Sequence, residues 1–206
     1  MKKLSINQDL PYGATELTLD DMEGLIPDYI LTRKELDEFE KANIVNAVLW
    51  LRRKNLKYQN ILSMEFIFEL HNKMFDKTWK WAGTLRHVAV NIGNTPVEQI
   101  QVRIKNTLDN TIYWIENHVF SIDEICVRLH HELVWIHPFP NGNGRFSRII
   151  SDELRQSLGS EPFAWGSTEN NLTISSENRA KYIHALRLAD KKDYVKLVDF
   201  AIGEKD

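Results

Sequence analysis

The residues best equipped to do chemistry stand in one run, His137-Pro138-Phe139-Pro140-Asn141-Gly142-Asn143-Gly144-Arg145-Phe146-Ser147-Arg148. Glycines tolerate backbone angles that turn several successive N–H groups to one side, and such a nest binds anions. A helix starting directly behind the loop would add the partial positive charge of its N-terminus. Arg145 and Arg148 lie three residues apart, so on a helix they share a face and can both grip phosphate with forked hydrogen bonds. His137, at the front of the loop, is the residue type that accepts a proton near neutral pH. Cradle, paired arginines and base together describe phosphoryl or nucleotidyl transfer. The plain alternative is a Gly/Asn-rich turn with solvated arginines and a histidine at a helix end; Gly-Asn-Gly alone would not exclude it, but twelve residues in this order demand more.

The elements that must position this loop are legible from their ends. Ser121 and Glu124 open a helix through Ile125, Leu129, Leu133 and Ile136, which must stop near Pro138. A second helical pattern covers roughly 145–158. Upstream, Thr32 and Glu35 form a capping box on a long amphipathic helix carrying Leu36, Phe39, Ile44, Ala47, Val48 and Leu51. Ser63 caps a helix with Phe66, Ile67, Leu70 and Phe75. Thr95-Pro96 with Glu98 starts another through Ile100, Ile104, Leu108 and Ile115. Further helical patterns cover 177–190 and 193–202. Only 86–94 differs: Val88, Val90 and Ile92 alternate with Ala89 and Asn91 before Gly93-Asn94, which predicts a short β-hairpin. The fold class is therefore mainly α, one helical domain with a short β-hairpin.

Composition narrows the function classes. Of 206 residues, 43% are apolar and 27% charged, and the net charge is −3, without a basic run to mark a nucleic-acid footprint. The start, MKKLSINQDLPYG, has no apolar stretch after its lysines, so no secretory signal is expected. No window approaches the roughly eighteen apolar residues of a membrane span. The single cysteine, Cys126, excludes an internal disulfide and fits a reducing cytoplasm. His130, His131, Glu132 and His137 invite a metal reading, yet His130 and His137 are two turns apart and Trp135 breaks the H-E-x-x-H pattern. Trp50, Trp79, Trp81, Trp114, Trp135 and Trp165 read as core or hairpin packing rather than a base-stacking platform.

The run HPFPNGNGRFSR resembles the Fic-domain signature H-x-F-x-(D/E)-G-N-G-R-x-x-R, matched everywhere except the acidic position, which is Asn141. The resemblance extends to Leu129–Ile136 before the loop, to Trp79, Trp81-Ala82-Gly83 and Arg86 before the hairpin, and to Arg179, Tyr182, Leu186, Ala189, Asp190 and Asp193 near the end. The stretch GLIPDYILTRKELDEFEKANI is similar to a Fic subfamily called mobile mystery protein B, associated with mobile genetic elements. The resemblance implies a Fic-type domain over 32–206, preceded by a segment, 1–31, carrying a candidate inhibitory helix.

It also implies roles. His137 would take the proton of a target Ser, Thr or Tyr hydroxyl attacking the α-phosphate of ATP. Gly142, Asn143 and Gly144 would hold phosphates through the backbone, Arg145 and Arg148 would meet the β- and γ-phosphates, and Phe139 would anchor the loop in the core. The hairpin, through Val88, Val90 and Ile92, would grip the target protein as an added strand. In the family the acidic position holds Mg2+; the Asn141 carbonyl ligates such a hard cation only weakly. Family members also carry an inhibitory helix with (S/T)-x-x-x-E-(G/N), and Glu23-Gly24 would supply it, with Leu19 at the Ser/Thr position and Thr18 one residue earlier. A second match, Thr173 with Glu177-Asn178, falls where Ser175 and Glu177 read as a helix start. The expected activity is protein adenylylation with ATP and Mg2+, braked by Glu23 on Arg148, with a regulatory partner protein also expected for a mobile-element branch. The alternatives are a catalytically weakened nucleotide-binding regulatory or toxin–antitoxin protein, and a phosphotransferase using the same loop.

Overall fold

The computed structural model describes residues 17–90, 95–166 and 176–203, the side chains of Ser176 and Glu177 excepted. Capping explains where most helices begin. Thr18 and Asp21 close a reciprocal box on the five-residue α1 (Leu19–Glu23), and Thr32 with Glu35 does the same on α2 (Arg33–Leu51). The short α3 (Tyr58–Ile61) leads to Ser63, whose hydroxyl accepts from the Phe66 N–H to start α4 (Met64–Phe75). Ser121 caps α6 (Ile122–Ile136), which is preceded by α5 (Ile100–Glu116). After the loop come α7 (Asn143–Ser157), α8 (Ser176–Ala189) and α9 (Val195–Ile202).

Two sequence expectations shift. The predicted helix start at Thr95-Pro96 is instead a 3-10 turn, Val97–Gln99, without a side-chain cap, and α5 begins only at Ile100. The Thr95 carbonyl is committed elsewhere, to the guanidinium of Arg86. The hairpin is not seen: residues 85–90 form no strand, and 91–94, with Ile92, lie outside the described residues. The period-two pattern survives as burial, with Val88 and Val90 half-buried around an exposed Ala89. Arg86 again supplies the reason, because it takes the Val88 carbonyl that a strand partner would need.

The helices pack as α6 on α7, α2 on α4, α5 on α6, and α8 with α9 closing against α6. Trp79, Phe75, Phe139, Phe146, Phe163 and Trp165 are the largest side chains of the core. The stretch after α4 is where the N-terminal segment docks: Ile26 donates to the Thr78 carbonyl, Lys80 to that of Gly24, and Leu17 and Ile30 join the core. Among the described residues no helix is long and apolar enough to cross a membrane.

Asn43 pins α2 to the end of α4. Its amide donates to the Lys73 carbonyl and the Asp76 carboxylate at 3.2 Å each, and its oxygen accepts from the Lys77 N–H (2.9 Å) and the Thr78 hydroxyl (3.2 Å). Removing it strands several buried partners at once. Asn43→Ala should lower the unfolding free energy by about 2–4 kcal/mol in urea denaturation, and a loss under about 0.5 kcal/mol would contradict this role.

Candidate functional site

The loop between α6 and α7 is fixed from both ends and from below. His137 ends α6 in the left-handed conformation, φ 49 and ψ 62, with its N–H on the Leu133 carbonyl. Histidine is among the few L-residues that visit this region with some frequency, and the turn carries the chain off the helix axis. Arg86 fastens it there. Its Nε donates to the His137 carbonyl at 2.6 Å, one terminal nitrogen to Val88 at 2.8 Å, and the other to Thr95 at 2.6 Å and Ile136 at 3.4 Å. Its backbone N–H bonds the Pro138 carbonyl at 2.9 Å. Desolvation pulls the Arg86 pKa below the ordinary arginine value.

Inside the loop, Asn143 staples Phe139 by both backbone groups: Oδ1 accepts its N–H at 2.9 Å and Nδ2 donates to its carbonyl at 2.8 Å. Phe139 is fully buried, as the family resemblance implied, and stacks on His71 with ring centroids 3.7 Å apart. The Gly83 N–H donates to His71 Nδ1, so Nε2 carries the proton and donates to the Asn141 carbonyl at 3.1 Å. Burial lowers the His71 pKa to about 3, which keeps that tautomer neutral. Gly142 has φ 79, and a Cβ there would stand 2.4 Å from the Phe75 ring, so no other residue fits. A Cβ on Gly144 would meet nothing within 4 Å. The open side of the loop is thus the first turn of α7, whose N–H groups lack intrahelical carbonyls.

His137 is buried, and desolvation, then the charge of Arg86, lower its pKa to about 4, with the nearby Val134 carbonyl opposing more weakly. It is neutral at physiological pH, as a proton acceptor must be. Arg145, one-fifth exposed, pairs with Glu40 of α2 at 2.7 Å, while Glu40 also accepts from Trp79 Nε1 at 2.6 Å. Arg148 is buried, its pKa lowered chiefly by desolvation, and Tyr182 of α8 lies within electrostatic reach of it. Arg179 of α8 adds a third guanidinium within electrostatic reach of Arg145 and Arg148.

The structure thus brings His137, Gly142, Asn143, Gly144, Arg145 and Arg148 together, and among the described residues two other expectations are not seen. Glu23 is exposed and pairs with no described arginine. The buried acid of α1 is Asp21, engaged with Thr18, and Glu23 two residues on points the other way. Among the described residues, the carboxylate paired with Arg145 is that of Glu40. The second match, from Thr173, begins outside the described residues. At Asn141, Oδ1 accepts the Gly142 N–H at 2.6 Å. That neutral, already engaged oxygen does not fit a protein-held Mg2+, and among the described residues no three acidic, histidine or cysteine side chains gather to hold a metal. Sequence reasoning missed Arg86, His71, Glu40 and Tyr182 as parts of the site.

Residues 61–154 match the Fic/DOC family model. That stretch, a little under half of the chain, resembles a Fic/DOC domain. The protein adenylyltransferase fic-1 of Caenorhabditis elegans is 28% identical over 181 residues, 82% of this chain and 33% of its own length. The protein adenylyltransferase Fic of Drosophila virilis is 38% identical over 91 residues, 43% of this chain and 17% of its own. The chain therefore spans a third or less of these curated relatives. Among solved structures, a fragment of Fic-1 from C. elegans superposes with a TM-score of 0.65 at 22% identity, covering 89% of this chain and 52% of that one. The N-terminal Fic domain of a Bartonella quintana effector with bound ADP gives 0.61 at 18%, covering 85% and 86%. At these identities the likeness of the solved structures is one of fold.

The depressed His137 pKa has a consequence for stability. Between pH 6.5 and about 4 the unfolded chain binds a proton at this residue that the folded protein does not. Its contribution is complete above pH 6.5 and is lost as pH falls toward 4. His71 acts in the same direction, whereas Asp152, raised by burial to about 7, acts in the opposite one. Comparing wild type with His137→Asn isolates the term: from pH 7 to pH 5 the urea midpoint of wild type should shift further toward low urea than that of the variant. Parallel shifts would contradict a buried, neutral His137.

Proposed function

We propose that this chain is a protein adenylyltransferase, moving AMP from ATP to a Ser, Thr or Tyr hydroxyl of a target protein. The observation that carries the reading is a neutral His137 at the front of a loop whose other end is an anion-binding helix N-terminus with Arg145 and Arg148. The target hydroxyl attacks the α-phosphorus, His137 takes its proton, and the bond to the bridging oxygen breaks to release pyrophosphate. Backbone N–H groups of Gly142, Asn143 and Gly144 meet the phosphate oxygens; the side chain of Asn143 serves the loop instead, through Phe139. Arg145 and Arg148 offset the charge on the departing pyrophosphate. Because Asn141 supplies no carboxylate, the arginines carry more of that charge than in a loop with Asp or Glu at this position.

The names of the C. elegans and Drosophila relatives and the ADP in the Bartonella domain support this reading. ATP is the substrate, and the target lies along 86–94, with Val88, Val90 and Ile92 as its contacts. The division into an N-terminal segment, 1–31, and a domain over 32–206 belongs to the same proposal. So do the mobile mystery protein B grouping, a regulatory partner protein and a cytoplasmic location. A second reading, a nucleotide-binding regulatory protein without transfer, is favoured by Asn141 and by the Glu40 carboxylate seated on Arg145.

Labelling of lysate proteins with α-³²P-ATP and γ-³²P-ATP in parallel separates the readings. Adenylyl transfer predicts label from the α position alone, reduced about 10²–10⁴-fold by His137→Ala. Label from the γ position alone would make the chain a kinase. ATP binding without label would leave the regulatory reading.

A further inference from the structure

The peptide unit joining Asn141 to Gly142 lies in the middle of the loop, and α4 holds it from below. Nε2 of His71 stands 3.1 Å from its carbonyl, and Phe75, one turn further along α4, sets its ring where a Cβ of Gly142 would stand. The imidazole is fully buried and lies flat on Phe139, with centroids 3.7 Å apart and planes 15° apart. Its other nitrogen, Nδ1, stands 3.0 Å from the Gly83 nitrogen.

Both partners of the ring are backbone groups with a single role each. An N–H only donates, so Nδ1 accepts; a carbonyl only accepts, so Nε2 donates. Turning the ring over would set carbon atoms against both groups. The peptide behind Nδ1 is itself fixed: the Ala82 carbonyl and the Gly83 N–H belong to one unit, and Asn72, next to His71 on α4, donates to that carbonyl at 3.0 Å. A trans peptide points its carbonyl and its N–H in opposite directions, and the bond before Gly142 is trans. Holding the Asn141 carbonyl on the imidazole therefore turns the Gly142 N–H away from it, toward the half-buried Asn141 side chain, whose Oδ1 accepts it at 2.6 Å.

We propose that His71 is a positioning residue for phosphate binding: it sets the Asn141–Gly142 peptide so that the Gly142 N–H faces the anion, and the Asn141 side-chain oxygen keeps that place until a phosphate oxygen takes it. The proposal rests on the reading of the loop as a nucleotide site. It gives α4 a part in that site, although no residue of the loop signature lies on it. His71 touches no phosphate and acts through one peptide unit, so what matters is its donor at Nε2 rather than the bulk of its ring.

Isothermal titration of ATP and of inorganic tripolyphosphate into wild type, His71→Phe and His71→Gln tests this. Phenylalanine keeps a ring against Phe139 and loses both hydrogen bonds; glutamine offers one donor and one acceptor, as the neutral imidazole does. Losing one N–H to a charged ligand predicts that H71F binds both probes about 10- to 100-fold more weakly, with H71Q within about 3-fold of wild type. An H71F protein that binds as wild type does, or an H71Q protein as weak as H71F, would overturn the role of His71 while leaving the nucleotide site intact. Wild type that binds neither probe would overturn the reading of the loop, and this proposal with it. Should H71F fail to fold, ¹⁵N NMR of wild type decides: Nε2 of His71 must carry the proton, and the Gly142 amide resonance must shift when tripolyphosphate binds. A proton on Nδ1, or a Gly142 amide unmoved by bound tripolyphosphate, would overturn the proposal.

Discussion

A single buried guanidinium holds the site in shape. Arg86 spends its donors on four backbone carbonyls, from Val88, Thr95, Ile136 and His137, and its own N–H on Pro138. A desolvated charge is costly unless its hydrogen bonds are made, so the guanidinium imposes positions on every carbonyl that satisfies it. Three consequences follow from one residue. The end of α6 and the start of the loop are fixed, the chain before α5 is drawn in at Thr95, and the positive charge helps keep His137 in its neutral form.

The rest of the loop is built on the same economy of backbone contacts. Asn143 bridges both polar groups of Phe139, His71 bridges Gly83 to the Asn141 carbonyl, and Phe75 leaves room only for glycine at 142. Most side chains of the loop thus serve the loop, which leaves backbone N–H groups and two arginines facing the chemistry. Arg145 comes with a carboxylate already in place, that of Glu40, and Tyr182 stands near Arg148. Under the proposed reading, an incoming triphosphate must compete with that carboxylate at Arg145.

What the sequence disclosed was local. The capping box at Thr32 and the N-cap at Ser121 act across three residues, so their geometry is written in the spacing, and the helices began where expected. The twelve-residue loop was legible for the same reason. What stayed hidden depends on partners far along the chain: Arg86 with His137, Glu40 with Arg145, His71 with Asn141. No period or spacing announces such pairs. The hairpin over 86–94 shows the conflict directly, since an alternating pattern correctly marked which side chains turn inward but not that Arg86 would take the carbonyls a ladder requires. In α1 the buried acid is Asp21, while Glu23 is exposed.

On the proposed adenylyl-transfer reading, Arg86 makes the loop competent by fixing its geometry. Arg86→Lys keeps the charge but cannot reach all four carbonyls, and its AMP transfer rate at saturating ATP is the most direct measurement. With the variant folded below its melting temperature, the rate should fall about 10²-fold, the scale expected when a reacting group is misplaced by about 1 Å. A folded Arg86→Lys protein transferring AMP at the wild-type rate would contradict the account.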